Sequence, residues 1–162
     1  MTEGETASFA KRRAGAFAAA ALFVLALAGA AQAQTLQLVT PEEAALPAGA
    51  PPSLEFRGSP TRRPSIQVVS PPPSAGLVHS PLELKLRFHA FGGAEIDPES
   101  VVVTYLKNPA IDVTQRLAPF ITADGVVIDH AELPAGDHQF WVELKDKTGR
   151  SGAIAFTVQV AK

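Results

Sequence analysis

The last thirty residues alternate between side chains of opposite character with a period of two, and this pattern limits the fold more than any other feature. One face of the first stretch carries His138, Phe140, Val142 and Leu144. After a polar turn, the second stretch carries Ile154, Phe156, Val158 and Val160 at alternate positions. Successive side chains of a β-strand point to opposite faces, so the pattern predicts two half-buried strands joined as a hairpin.

The same alternation extends back to Ile66 and predicts an all-β domain over residues 65–162. Strands are expected at 66–69, 82–89, 101–106 and 126–128, with short strands or turns at 111–117 and 119–122. Turn residues recur about every ten positions, and no amphipathic helix of ordinary length follows residue 33. We therefore predict an antiparallel β-sandwich of about seven strands. Its expected core is Leu82, Leu84, Leu86, Phe88, Val101, Val103, Tyr105, Phe140, Val142, Leu144, Ile154, Phe156 and Val158.

Residues 1–33 have the three parts of a signal peptide. Lys11, Arg12 and Arg13 are basic, residues 14–28 are apolar or small, and Ala31-Gln32-Ala33 suits signal peptidase. We predict cleavage before Gln34 and a periplasmic or secreted location. The alternative is that residues 14–33 remain as an inner-membrane anchor, since twenty such residues can just span a bilayer.

Residues 34–64 are rich in proline and poor in periodic apolar residues. Proline fixes φ and removes a backbone donor, so this stretch is predicted to be a disordered linker or tether. A single helical turn is possible at 41–46, and 54–57 could serve as a docking peptide. The prolines are Pro41, Pro47, Pro51, Pro52, Pro60 and Pro64.

Charge and cysteine content exclude several kinds of function. The net charge is −2 with the two signs interspersed, so there is no basic block of the kind that binds nucleic acid or a membrane surface. The absence of cysteine excludes disulfides, thiolate catalysis and cysteine-ligated metals. The domain must therefore be stabilised by its apolar core.

Four segments resemble bacterial immunoglobulin-like domains. They are the stretch Ile96-Asp97-Pro98-Glu99-Ser100-Val101-Val102-Val103-Thr104, the tripeptide Asp112-Val113-Thr114, the turn from Leu133 to His138, and Asp146-Lys147-Thr148-Gly149. The resemblance covers about residues 66–160 and implies an immunoglobulin-like sandwich. Such modules serve as spacers, adhesins, enzyme accessories and assembly factors, so the resemblance does not select a function. His138 occupies the position of the corner tyrosine found in many sandwiches, and we expect its ring to bond the preceding loop.

Metal binding is the first alternative. His79, His89, His130 and His138, with Asp97, Asp129 and Asp137, are candidate copper or zinc ligands. Residues 68–71 and 80–88 also resemble the first strands of periplasmic copper carriers. Those carriers begin with histidine and often have methionine-rich loops, whereas here the predicted mature chain begins with Gln34 and Met1 is the only methionine. The acidic turns at Asp97, Asp124 and Asp146 lack the ligand ladder of a calcium loop, and turn geometry explains them.

No catalytic set is present: there is no G-x-S-x-G elbow, and no carboxylate pair stands out. We expect a non-enzymatic module without a cofactor that binds or scaffolds another envelope protein or polymer. Trp141 lies on the polar register of its strand and is the candidate partner contact; packing on a neighbouring strand or under the linker is its alternative. A copper or zinc carrier and an accessory domain of an envelope enzyme are the competing functions.

Overall fold

The computed structural model describes residues 35–52 and 62–162, which belong to one compact unit, Gln32–Lys162. The predicted signal peptide, the alternative anchor at 14–33 and the proposed docking peptide at 54–57 lie outside the described residues. Within the described ranges, no helix has the length and apolar character needed to cross a bilayer.

In the described residues, ten strands form two sheets that stack with the apolar side chains between them. The first sheet has the order β1-β8-β4-β2, and β7 also pairs with β8. Its strands are β1 (Leu36–Gln37), β2 (Ser65–Ser70), β4 (Leu82–His89), β7 (Ile121–Thr122) and β8 (Gly125–Glu132).

The second sheet has the order β3-β10-β9-β5-β6. Its strands are β3 (Leu77–Val78), β5 (Ile96–Tyr105), β6 (Ile111–Asp112), β9 (Gly136–Asp146) and β10 (Ser151–Val160). Two four-residue helices, α1 (Pro41–Ala44) and α2 (Thr114–Leu117), and a 3-10 turn at Ala118–Phe120 complete the described elements.

The all-β class is confirmed, but the strand count and the purely antiparallel arrangement are corrected. Ten strands replace about seven because four of them (β1, β3, β6 and β7) have only two residues, too few to show a period. Both sheets are mixed, since β1 runs parallel to β8 and β3 runs parallel to β10.

The core contains the side chains that the alternation selects. In β4, buried and exposed residues alternate without a break from Leu82 to His89. All of the predicted core residues are buried except Ile154 and Phe156, which are partly buried and pack against the core. Phe140 is the middle of three aromatic rings that lie side by side on neighbouring strands of the second sheet, 5.2 Å from the ring of Tyr105 and 5.6 Å from that of Phe156. Burial of each large apolar side chain contributes about 1.5–3 kcal/mol.

The predicted linker is corrected for residues 35–52, which pack on the sandwich. Leu38 and Val39 are each 1% exposed and belong to the core cluster. Backbone pairing continues past β1, since Leu38 N donates to Glu132 O over 3.0 Å. The sequence prediction was wrong here because proline content indicates only local backbone restriction. It does not indicate whether nearby apolar residues, such as Leu38 and Val39, pack against the rest of the domain.

Helix α1 is stabilised by a capping box and by hydrogen bonds from the side chains of Arg116 and Lys107. Thr40 Oγ1 accepts from Glu43 N over 3.2 Å, and Glu43 Oε2 accepts from Thr40 N over 2.9 Å. Arg116 then forms two hydrogen bonds with the Glu43 carboxylate and one with Leu38 O. The Arg116 hydrogen bond is the main reason that the pKa of Glu43 falls to about 2. Lys107 Nζ donates a further hydrogen bond to Ala44 O. Side chains from the rest of the domain therefore bind both ends of α1.

Candidate binding surfaces

The four histidines lie at separate places in the sandwich. His79 is exposed in the loop before β4, His89 ends β4 near Gln67 Oε1 at 3.3 Å, and His130 is exposed on β8. His138 is buried near the beginning of β9. Within residues 35–52 and 62–162, no three His, Asp or Glu side chains come together as a possible metal site. The geometry that would favour a metal carrier is therefore not formed by these candidates.

His138 instead completes a buried hydrogen-bond chain. Its Nε2 lies 2.7 Å from Pro134 O, and because a carbonyl only accepts, the proton is on Nε2. Nδ1 then accepts from the Tyr105 hydroxyl at 2.9 Å. The expected bond from the His138 ring to the preceding loop is confirmed. The hydrogen bond to Tyr105 could not be anticipated from the sequence, because Tyr105 and His138 are 33 residues apart along the chain.

Burial determines the charge state of this pair. Burial lowers the pKa of His138; the hydrogen bond to Pro134 and the charge of Asp137 oppose the shift, and the charge of Lys107 reinforces it. Burial, with a smaller effect from the Glu43 charge, raises the pKa of Tyr105 to about 12. Both rings are thus neutral at pH 7, as the hydrogen-bond chain requires. This pair holds β5 to β9 and the loop before it, and it offers no free group for chemistry.

The lowered pKa of His138 predicts that the folded protein loses stability in mild acid. The unfolded chain takes up a proton on this histidine near pH 6.5, whereas the folded chain does so only at lower pH. The unfolded state therefore binds more protons between those two values, and the free energy of unfolding falls as pH drops from 6.5 toward the folded pKa. Urea unfolding at pH 7.5, 6.5 and 5.5 measures this loss.

The matched variant for that experiment is His138→Gln, which removes the titration. It should be less stable at pH 7.5 but lose less on going to pH 5.5 than the unchanged protein. The Glu43 and Asp146 carboxylates, with pKa values of about 2, contribute to the pH dependence only below about pH 4.5. Equal losses in the two proteins would contradict the assignment to His138.

Two of the acidic residues singled out from the sequence, Asp97 and Asp146, accept hydrogen bonds from residues two to four positions further along the chain. Asp97 Oδ1 accepts from Glu99 N over 3.1 Å. Asp146 accepts four hydrogen bonds, two from Thr148 and two from Arg150. Burial alone would raise the pKa of Asp146, but these four bonds outweigh it and lower the pKa to about 2. The carboxylate of Asp146 therefore stabilises the β9–β10 turn. The D-x-x-G pattern indicates a turn at this place but does not predict these hydrogen bonds.

Trp141 lies on the outer face of the second sheet, as its register predicts, but its side chain is not open to solvent. It pairs with Thr104 on β5 and Ala155 on β10, and it is only 6% exposed. The prediction that Trp141 is exposed as a partner contact is therefore corrected, because its side chain is buried. Its role in partner binding stays a prediction. Val102, two residues before Thr104 on β5, is an apolar side chain that is 42% exposed.

Two rows of that outer face are uncharged. The row Thr104, Trp141 and Ala155 is neutral, and so is the next pair, Gln139 and Thr157. On the other side of the Trp141 row, Val102 pairs with the charged, partly exposed Glu143. We call the two neutral rows, with Val102, the Trp141 face. Protein interfaces are depleted of charged residues at their centres, and the two neutral rows match that trend.

A comparison of the chain with protein-family models, with curated proteins and with solved structures finds no match.

Proposed function

We propose that the protein is an exported, non-enzymatic module of immunoglobulin-like topology that binds or scaffolds another component of the cell envelope. The signal-peptide pattern at 1–33 supports export. Three further observations support the immunoglobulin-like topology and the binding role. They are the strand order, the hydrogen bonds of the buried polar side chains, and the Trp141 face.

The strand order supports the immunoglobulin-like assignment. Constant-type domains place strands A, B, E and D in one sheet and C, F and G in the other. If β2, β4, β5, β8, β9 and β10 are A, B, C, E, F and G, the observed neighbours β2-β4-β8 and β10-β9-β5 reproduce both sheets. The short β7 then takes the position of D, beside β8. The His138 bond to Pro134 occupies the place of the corner tyrosine's bond.

The buried polar groups support a binding module over an enzyme. Among the described residues, the buried polar or charged side chains are His138 and Asp146. Each is used by hydrogen bonds within the fold, and no buried side-chain nitrogen or oxygen in these ranges is left without a partner. A catalytic group needs access to a substrate, which neither side chain has.

The two uncharged rows of the Trp141 face are the observation that carries the binding proposal. Site-specific photo-cross-linking tests it in living cells, with the reactive side chain placed at Val102. The matched control is Ala123, an exposed position in the turn between β7 and β8. We expect a discrete adduct from Val102 and none from Ala123. The same adducts at both positions, or none at Val102, would contradict a contact through this face.

A further inference from the structure

The outer face of the first sheet carries a row of basic side chains. Lys85, Arg87 and His89 alternate along β4 with buried core residues, so all three point away from the core. Arg87 and His89 are exposed and Lys85 is partly exposed. Alternate residues of a strand are about 6.5 Å apart, so the three form a straight line. We call them the β4 basic row.

The residues directly opposite Lys85, Arg87 and His89 on the neighbouring strands are uncharged. On β2, Gln67 pairs with Arg87 and Ser65 pairs with His89. On β8, Val127 pairs with Lys85 and Gly125 pairs with Arg87. No ion pair within residues 35–52 and 62–162 involves Lys85 or Arg87. Neither Lys85 nor Arg87 is therefore held in an ion pair across the sheet.

The row continues at one end and is interrupted at the other. Arg62 is exposed and precedes Ser65, the partner of His89, so it adds positive charge beyond the end of β4. The exposed carboxylates Glu83 and Asp129 lie near the beginning of β4, where Leu84 pairs with Ile128. The sheet face thus has a basic half and an acidic end.

We propose that the β4 basic row binds a linear anionic polysaccharide, one whose successive sugars carry carboxylates. The proposal rests on the proposed function and gives that module a ligand class and a surface. A flat sheet with charges in a line lets an extended chain of repeating anions meet them one after another. A lipid surface fits less well, because Glu83 and Asp129 on the same face would be pressed against anionic headgroups. Nucleic acid would require a larger basic area than this row.

Binding of the exported protein to polygalacturonate tests the proposal by affinity electrophoresis and calorimetry at 20 mM and 300 mM salt. We expect retardation at low salt that weakens at high salt. Lys85→Gln combined with Arg87→Gln should reduce the affinity roughly tenfold, the effect of losing two exposed charge contacts. The control is Lys145→Gln, which removes an exposed charge from the second sheet and should leave the affinity unchanged.

Two results would overturn the polysaccharide assignment. One is no binding, or equal loss of binding in the double variant and the Lys145 control. The other is binding to phosphatidylglycerol vesicles, but not to polygalacturonate, that the double variant loses. Circular dichroism of each variant confirms that its fold is retained. Failure here together with a Val102 adduct would reject the β4 basic row alone and leave the binding module standing.

Discussion

Replacing Asp146 with alanine is expected to lower the free energy of unfolding by about 3–4 kcal/mol. The side chain is fully buried and accepts Thr148 N at 2.9 Å, Thr148 Oγ1 at 2.6 Å, Arg150 N at 3.0 Å and Arg150 Nε at 2.7 Å. Alanine leaves these donors without their acceptor inside the β9–β10 turn. Arg150 also donates to Phe91 O, so the loss extends to the β4–β5 loop.

Urea unfolding at pH 7 measures the Asp146 effect, with Asp129→Ala as the control. Asp129 is exposed on β8, and its replacement should change stability by less than about 0.5 kcal/mol. Because the pKa of Asp146 falls from 3.8 to about 2 on folding, its contribution is present above pH 4 and is lost as pH falls toward 2. The alanine variant should lack that part of the acid destabilisation. A variant within 1 kcal/mol of the unchanged protein would rule out the turn as a major source of stability.

Replacing Gly125 with alanine is expected to cost about 3–5 kcal/mol. Gly125 begins β8 with φ of +153°, a conformation that L residues rarely adopt. A Cβ there would overlap the backbone carbonyl oxygen of Leu86 on β4. Backbone atoms of a paired central strand cannot move aside without breaking the β4–β8 ladder, so strain and overlap act together.

Gly136→Ala separates these two causes. Gly136 begins β9 with φ of +131°, but a Cβ there would have nothing within 4 Å. It should lose only the conformational part, about 1–2 kcal/mol. Denaturant midpoints of the two variants give the comparison. If Gly125→Ala is no less stable than Gly136→Ala, the close approach of β8 to β4 is not what requires glycine.

The parts of the fold that sequence could predict are those encoded by local alternation. Strand β4 and the β9–β10 hairpin were predicted nearly residue by residue, since burial there largely follows the parity of each position, with Trp141 as an exception. Strand β5 was predicted from 101 but begins at Ile96, because a register shift between Asp97 and Val102 accommodates Pro98. This irregularity shifts which alternate positions of β5 face the core. A search for strict alternation therefore misses the part of the strand before residue 101.

The residues of the two proposed binding surfaces could be predicted only in part from the sequence. Trp141 was placed on the correct face, but its burial depends on what lies against it. The β4 basic row was present in the alternation, yet the uncharged residues directly opposite it, Gln67 and Val127, are known only from the strand pairing. The His138 bond to its loop was predicted because it spans four residues, whereas its bond to Tyr105 was not.

The amino-acid sequence alone determined the β class, the pairing of the last two strands, most of the core and the absence of cysteine chemistry. Each of these depends on composition or on neighbours a few positions away. Tertiary structure alone decided that residues 35–52 join the fold, that four histidines stay apart, and that Asp146 is buried in a turn. Those outcomes depend on surfaces brought together across the chain, where burial and hydrogen-bond partners are set by contacts that no local pattern contains.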